Sequence, residues 1–371
     1  MRDAPPLRRW RDDFAMREPA EPFGTATGFA PGRINLIGEH TDYNGGLVLP
    51  VALALGTTVT LRPRTDDTVR LTTDAAVELA QTSYVLGAER RGGGWTDHIG
   101  GITAALRRSG AGVGGFDARI ATTLPLGAGL ASSAALGVAL LRALRAAFAL
   151  SLDDLGLARL AHASESGFVG ARVGLMDQLA AVFGRAGHAT LIDLRDVSRE
   201  DIALPELELA VIDSGTRHEH ASSGYNIRRA ECEAACRHLG VATLRELEDR
   251  PLETTLKRLP PPLDRRVRHV LTENARVRDA VAALRARELV ALGALLCASQ
   301  RSLREDYEVS TPELDRLVAI LTDDPDVLGA RLVGGGFGGS VLALTHAGRA
   351  RPATLRALER YRSGRLLALV P

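Results

Sequence analysis

Leu124-Pro125-Leu126-Gly127-Ala128-Gly129-Leu130-Ala131-Ser132-Ser133-Ala134-Ala135 lies between a β-type run, Phe116 to Thr123, and an alanine-rich stretch that continues to Ala149. The hydrophobic pattern changes across it and predicts a strand, a glycine-rich turn and a long helix from Ser132 to Ala149. Gly127 and Gly129 let the backbone approach a ligand closely, and the first-turn N–H groups of a helix favour an anion such as phosphate. Ser132 and Ser133 either cap the helix or offer hydroxyls to a metal ion. A plain strand-to-helix turn capped by serine fits the same residues, so this stretch alone settles local structure and leaves its ligand open.

Towards the N-terminus, Val48-Leu49-Pro50-Val51-Ala52 and Thr57-Thr58-Val59-Thr60-Leu61 read as two strands, and Gly92-Gly93-Gly94 as a loop before a helix at Ile99 to Arg108. The first 25 residues read as a polar lead-in with a short amphipathic helix. Towards the C-terminus, Leu152-Asp153-Asp154 caps a further helix carrying His162 and Glu165, and Leu207 to Asp213 is a buried-strand run. The chain is then mostly helical through Pro312, before Arg331-Leu332-Val333 and Val341-Leu342-Ala343-Leu344 bracket a run of glycines. The fold class expected is α+β. At 371 residues the chain exceeds one ordinary core, so two domains are expected, 1–200 and 201–371.

Hydrophobic residues make up 45% and charged residues 25%, a globular composition. A formal charge of +1 argues against a broad nucleic-acid footprint. Lys257 is the only lysine and sits in Thr-Leu-Lys-Arg, so no Walker-type Gly-Lys-Ser/Thr loop exists and any nucleotide is held another way. The cysteines are Cys232, Cys236 and Cys297; two lie one helical turn apart, without the four spaced ligands of a zinc site. Met1 to Asp13 is charged and carries Pro5-Pro6, and the apolar stretches are soon interrupted by Arg or Gly. A cytoplasmic protein without a membrane span is expected.

Two more segments carry chemistry. In Ala30-Pro-Gly-Arg-Ile-Asn-Leu-Ile-Gly-Glu-His-Thr-Asp-Tyr-Asn-Gly-Gly46, the polar residues Arg33, Glu39, His40 and Asp42 crowd together with glycines. Such a mixture of fixed donors and acceptors suits sugar hydroxyls in a concave place. An exposed polar loop is the rival reading, and the interleaved Ile34, Leu36 and Ile37 oppose it. Val333-Gly-Gly-Gly-Phe-Gly-Gly-Ser340 holds five glycines between strand-like runs, which favours backbone packed tightly against a ligand or another segment over a linker. Gly174-Leu-Met-Asp-Gln178 sets Asp177 at an apolar helix start, twelve residues after Glu165 on the preceding helix.

In this order and at these separations, the three glycine-rich segments resemble the motifs of the galactokinase, homoserine, mevalonate and phosphomevalonate (GHMP) kinase superfamily. Gly32-Arg33-Ile-Asn35-Leu-Ile-Gly-Glu39-His40-Thr41-Asp42-Tyr43-Asn44 is similar to the signature of its galactokinases, as are Gly170 to Gln178, Ser214 to Arg229 and Ser302-Leu-Arg-Glu-Asp-Tyr307-Glu-Val-Ser. The resemblance spans roughly residues 25 to 345. It implies a two-domain fold with the active site in the cleft, and transfer of the ATP γ-phosphoryl group to the C1 hydroxyl of α-D-galactose. Carried over by position, Arg33, Glu39, His40, Asp42, Gly174, Asp177 and Tyr225 contact the sugar, with Asp177 the base and Arg33 the cation beside it. Pro125, Gly127, Ala128, Gly129, Leu130, Ala131, Ser132, Ser133 and Ala134 cradle the phosphates, Ser133 and Glu165 hold Mg2+, and Trp95 either packs on adenine or serves as a core aromatic. The substrates implied are the small molecules galactose and ATP, for a monomer or weak dimer. Ala131, Val173, Val333, Ser340 and His98 depart from the common pattern, bearing on nucleotide affinity more than on turnover. A kinase for a related sugar (N-acetylgalactosamine, galacturonate, arabinose) and a non-catalytic sugar sensor are the rivals.

Overall fold

A computed structural model describes residues 24–74, 80–125, 127–217 and 221–371. The amphipathic helix expected in the lead-in lies outside the described residues, as does His218. In chain order come β1 (Ala26–Asn35), β2 (Leu47–Val48), β3 (Pro50–Pro63), β4 (Thr68–Thr73), β5 (Ala80–Val85), α1 (Thr96–Arg108), β6 (Phe116–Thr122) and α2 (Ser132–Ala147). They are followed by α3 (Asp154–Ser164), α4 (Met176–Phe183), β7 (His188–Asp193), β8 (Ser198–Ala203) and β9 (Leu207–Arg217). The remainder is α5 (Ala221–Leu239), α6 (Leu252–Leu256), α7 (Leu263–Ala286), α8 (Leu289–Glu305), α9 (Pro312–Thr322), β10 (Val327–Val333), β11 (Gly338–His346), α10 (Ala350–Tyr361) and β12 (Arg365–Val370).

The architecture is α+β, built on two sheets. The larger has the order β2-β7-β3-β6-β4-β5, with β1 paired to β3 and β8 to β7. The smaller has the order β10-β11-β9-β12, all antiparallel. Its alternation divides two cores: Leu207, Leu209, Val211, Leu342 and Leu344 join the first, while Ala210, Ile212, Val341 and Ala343 join the second. A sheet covered on both faces needs continuous apolar runs, which is why the Leu207 to Asp213 and Val341 to Leu344 segments stand out.

Two strand predictions merge. Val51-Ala52 and Thr57 to Leu61 belong to one 14-residue strand, β3, which starts at Pro50 and pairs with β6 from Thr57 opposite Thr122 to Pro63 opposite Phe116. Proline is tolerated at a first strand position because its missing N–H breaks no ladder there. The helix expected to Ala149 stops at Ala147, and Ala149 turns to a positive φ of 48°. Asp153 caps α3 as expected, accepting from the Gly156 N–H. α2 lies across β1 so closely that a Cβ on Gly28 would collide with the Ala139 carbonyl. That contact anchors the glycine-rich loop before α2 beside the end of β1.

Candidate active site

The end of β1 and the loop after it are buried. Arg33 is 5% exposed, Glu39 2% and His40 4%, so the exposed-loop reading of this run does not hold. A bulge between Pro31 and Arg33 breaks the β1–β3 register and re-aims Arg33. Beside it the Arg33 N–H donates to the Leu130 carbonyl, and a side chain on Gly32 would strike that same oxygen. Strand end and glycine-rich loop are thereby held backbone to backbone.

Arg33 Nε and Nη2 donate to Asp177 Oδ1 and Oδ2 at 3.0 and 2.8 Å, while Nη1 donates to the Gly129 carbonyl at 2.7 Å. One guanidinium thus joins the carboxylate at the start of α4 to the loop before α2, using the planar fork that lysine lacks. Around this pair opens a cleft of about 480 Å³, lined by all seven residues expected to meet the sugar: Arg33, Glu39, His40, Asp42, Gly174, Asp177 and Tyr225. Asp42 lies against Gly174 so tightly that a Cβ there would overlap its carboxylate. Burial, and next the charge of Asp177, push Asp42 up to about 7.

The glycine-rich loop is tied to both halves of the chain. Ser340 Oγ donates to the Ala128 carbonyl at 2.8 Å, so the hydroxyl that departs from the family pattern has a structural task. Gly127 and Gly129 take φ of 70° and 76°, which favours glycine. The serines are not the cap. Ala131 occupies the N-cap with φ 58° and no side-chain cap bond, and Ser132 and Ser133 begin the helix. The first-turn N–H groups are therefore left without a capping side chain. Pro125 precedes the loop at the end of the β6 connection, Leu130 is buried, and Ala134 is buried within the first turn. Glu165 does not continue the α3 helix but opens a π-type turn, Glu165–Val169, and its Oε2 accepts from Gln178 Nε2 at 2.7 Å. Trp95 stands at the N-cap of α1, half-buried against the first core, and does not line the sugar cleft.

The third glycine segment closes the far wall. The Gly334 N–H donates to Glu39 Oε1 at 2.8 Å, and the Gly335 carbonyl lies 3.2 Å from His40 Nε2. Behind the signature loop stands a set of residues that sequence reading missed. Arg331 Nη1 donates to the Asn35 and Leu36 carbonyls, and its Nη2 lies 3.2 Å from Glu39 Oε1, an ion pair without hydrogen-bond alignment. On α7, Glu273 accepts from the Gly38 N–H, Asn274 from the Leu47 N–H, and the His269 ring meets the Glu39 carbonyl. Burial pushes Glu273 up, but Arg276, and after it His269 and Arg331, outweigh that and hold its carboxyl down at about 2. Their signal was polar residues at positions 269 and 273, one turn apart on a helix face that faces inward.

Cys232 is buried against Tyr307, Cys236 is buried, and Cys297 is half-buried. Among the described residues no helix is long and apolar enough to cross a membrane.

Comparison with known proteins follows the same lines. The galactokinase galactose-binding signature matches residues 17–63, the GHMP kinase N-terminal domain residues 97–185, and the GHMP kinase C-terminal domain residues 280–362. A galactokinase of Roseiflexus sp. (strain RS-1) is 44% identical over 85% of this chain and 82% of its own. A galactokinase of Mycobacterium tuberculosis (strain H37Rv) is 44% identical over 87% of this chain and 89% of its own. The crystal structure of Lactococcus lactis galactokinase complexed with galactose superposes with a TM-score of 0.88 at 31% identity, covering 92% of both chains. Methanococcus jannaschii mevalonate kinase, at 17% identity and a TM-score of 0.69 over 95% of this chain and 99% of its own, shares the fold. On these grounds the chain belongs to the galactokinases, within the two-domain GHMP kinases.

Proposed function

We propose that this enzyme transfers the γ-phosphoryl group of ATP to the C1 hydroxyl of α-D-galactose, giving galactose 1-phosphate and ADP. The observation that carries the reading is the Arg33 guanidinium, bidentate on Asp177 inside the cleft and hydrogen-bonded to Gly129 of the glycine-rich loop. It supports a sugar hydroxyl at Asp177 within reach of a phosphate at the loop. Asp177 takes the C1 hydroxyl proton, the oxygen attacks the γ-phosphorus, and the bond to the bridging oxygen of ADP breaks. Arg33 orients the carboxylate through its two hydrogen bonds and offsets charge on the sugar oxygen. Glu39, His40, Asp42, the Gly174 backbone and Tyr225 read the remaining hydroxyls.

Gly127 to Ala134 with Pro125 receive the phosphates on the uncapped helix start. Trp95 is assigned to adenine on resemblance alone. Ser133 and Glu165 suit magnesium: both are hard oxygen donors, and the Gln178 amide fixes the Glu165 carboxyl through Oε2. When bound, the ion neutralises charge on the phosphates. The same reading divides the chain near residue 200 and places a monomer or weak dimer in the cytoplasm.

A panel of sugars under one ATP-coupled assay tests it. Galactose is expected to give the highest kcat/KM; faster turnover of N-acetylgalactosamine, galacturonate or arabinose would transfer the assignment to that sugar.

A further inference from the structure

Behind His40, hydrogen bonds run away from the cleft through three residues to which no role in the reaction has been given. Tyr43 Oη lies 2.8 Å from His40 Nδ1, Tyr307 Oη lies 2.9 Å from Tyr43 Oη, and Cys232 Sγ lies 3.1 Å from Tyr307 Oη. At the cleft end, His40 Nε2 faces the Gly335 carbonyl at 3.2 Å. Tyr307 is fully buried and Cys232 is 1% exposed, and the Tyr307 ring lies between the rings of His40 and His269, tilted against both, at 4.7 and 4.4 Å.

The direction of every proton in this series follows from its end. A carbonyl only accepts, so Nε2 carries the hydrogen. Burial lowers His40 to about 3, so the imidazole is neutral and Nδ1 is an acceptor. Tyr43 must then donate to Nδ1, which leaves its oxygen to accept from Tyr307, whose oxygen in turn accepts from the Cys232 thiol. Burial pushes that thiol up to about 12, so it keeps its proton. Asn44 Nδ2 closes the series, donating to the His40 carbonyl at 2.8 Å and approaching Cys232 Sγ at 3.7 Å.

We propose that Tyr43, Tyr307 and Cys232 are positioning residues that lock His40 as the Nε2–H tautomer, so that it meets the sugar as a donor to a hydroxyl oxygen. The inference rests on the galactose reading of this cleft. In the free protein the Gly335 carbonyl also holds that tautomer, through a bond longer than the one from Tyr43. Once a sugar hydroxyl takes the Nε2 hydrogen, the series behind Nδ1 is what keeps the proton from moving to the other nitrogen.

The test uses the full chain labelled with 15N-histidine, with His40 assigned by its absence in His40→Asn, a replacement that tolerates the left-handed φ of 64°. The 15N shifts of the wild-type ring, free and with galactose, are expected to report a protonated Nε2 and a bare Nδ1 in both states. Tyr307→Phe and Cys232→Val are expected to mix the tautomers in the galactose complex. They should also raise the galactose KM roughly three- to tenfold, the net worth of one hydrogen bond, without moving the KM for ATP. Cys232→Ser, which keeps a donor, is expected to restore the wild-type KM. A proton on Nδ1 in the wild type overturns the proposal even where a variant fails to fold, and so does an unchanged tautomer and galactose KM in Tyr307→Phe. Absence of galactose turnover by the wild type refutes the functional reading instead, and the ring shifts of the free protein still decide the tautomer.

Discussion

Asp42 and Gly174 occupy space that admits no added atom between them, and that crowding sets two expectations at the scale of single residues. A methyl group on Gly174 overlaps the Asp42 carboxylate and must displace it from the sugar. Gly174→Ala is expected to lower kcat/KM for galactose about a hundredfold, as displacements near 1 Å do, while nucleotide binding measured by calorimetry stays near wild type. Asp42 itself, raised to about 7 by burial and by Asp177, is mostly neutral below that pH and ionised above it. If its role is to accept from sugar hydroxyls, kcat/KM for galactose rises as pH is raised through about 7. The limb should vanish in Asp42→Asn; its persistence there would assign it to another group. At this scale the sequence was informative about identity and mute about state: Arg33, Glu39, His40 and Asp42 were legible as a polar cluster. That Asp42 shares its charge environment with Asp177 depends on α4 coming to lie beside β1, 144 residues along the chain from Arg33.

Among the elements, α7 and β10 brace the signature loop from behind, and neither looks like part of a site in the sequence. Arg331 on β10 is fully buried and is the cation beside the Glu39 carboxylate. Arg331→Met fits the apolar volume but leaves Glu39 buried with hydrogen bonds from Gly334 and Asn35 and no cation, and a loss of about 3–5 kcal/mol is expected in chemical denaturation. A loss within ~0.5 kcal/mol, the range of an ordinary surface change, would show that the pair has no structural weight. Periodicity made the long helices and the β9 and β11 runs legible because each buries a regular face. It failed at Pro50, where the single strand expected from Val48 to Ala52 is divided between β2 and the start of β3, and at Ala131, where the cap is an alanine in a left-handed conformation. Caps and bulges depend on what docks against them, which no local window contains.

For the whole molecule, the buried groups around the cleft make stability depend on pH. His40 and His269 are lowered by burial from 6.5 to about 3 and about 4, so only the unfolded chain takes up their two protons on moderate acidification. Asp42 opposes this, because the folded state binds its proton from about pH 7 downward. Two protons bound by the unfolded chain against one by the folded leave stability falling between pH 6.5 and 4.5, on the order of 1 kcal/mol per pH unit. Below 4.5 the depressed Glu273 adds to the loss. A thermal midpoint higher at pH 5 than at pH 7 would contradict this balance. The central claim, that Asp177 beside Arg33 performs proton transfer for a sugar kinase, is tested most directly by Asp177→Asn. Galactose 1-phosphate formation is followed by 31P NMR with ATP and magnesium, and nucleotide affinity is measured on the same sample. The result expected is turnover reduced 10²- to 10⁴-fold with ATP affinity kept, the range of a lost general base. Turnover within a few-fold of wild type would contradict it.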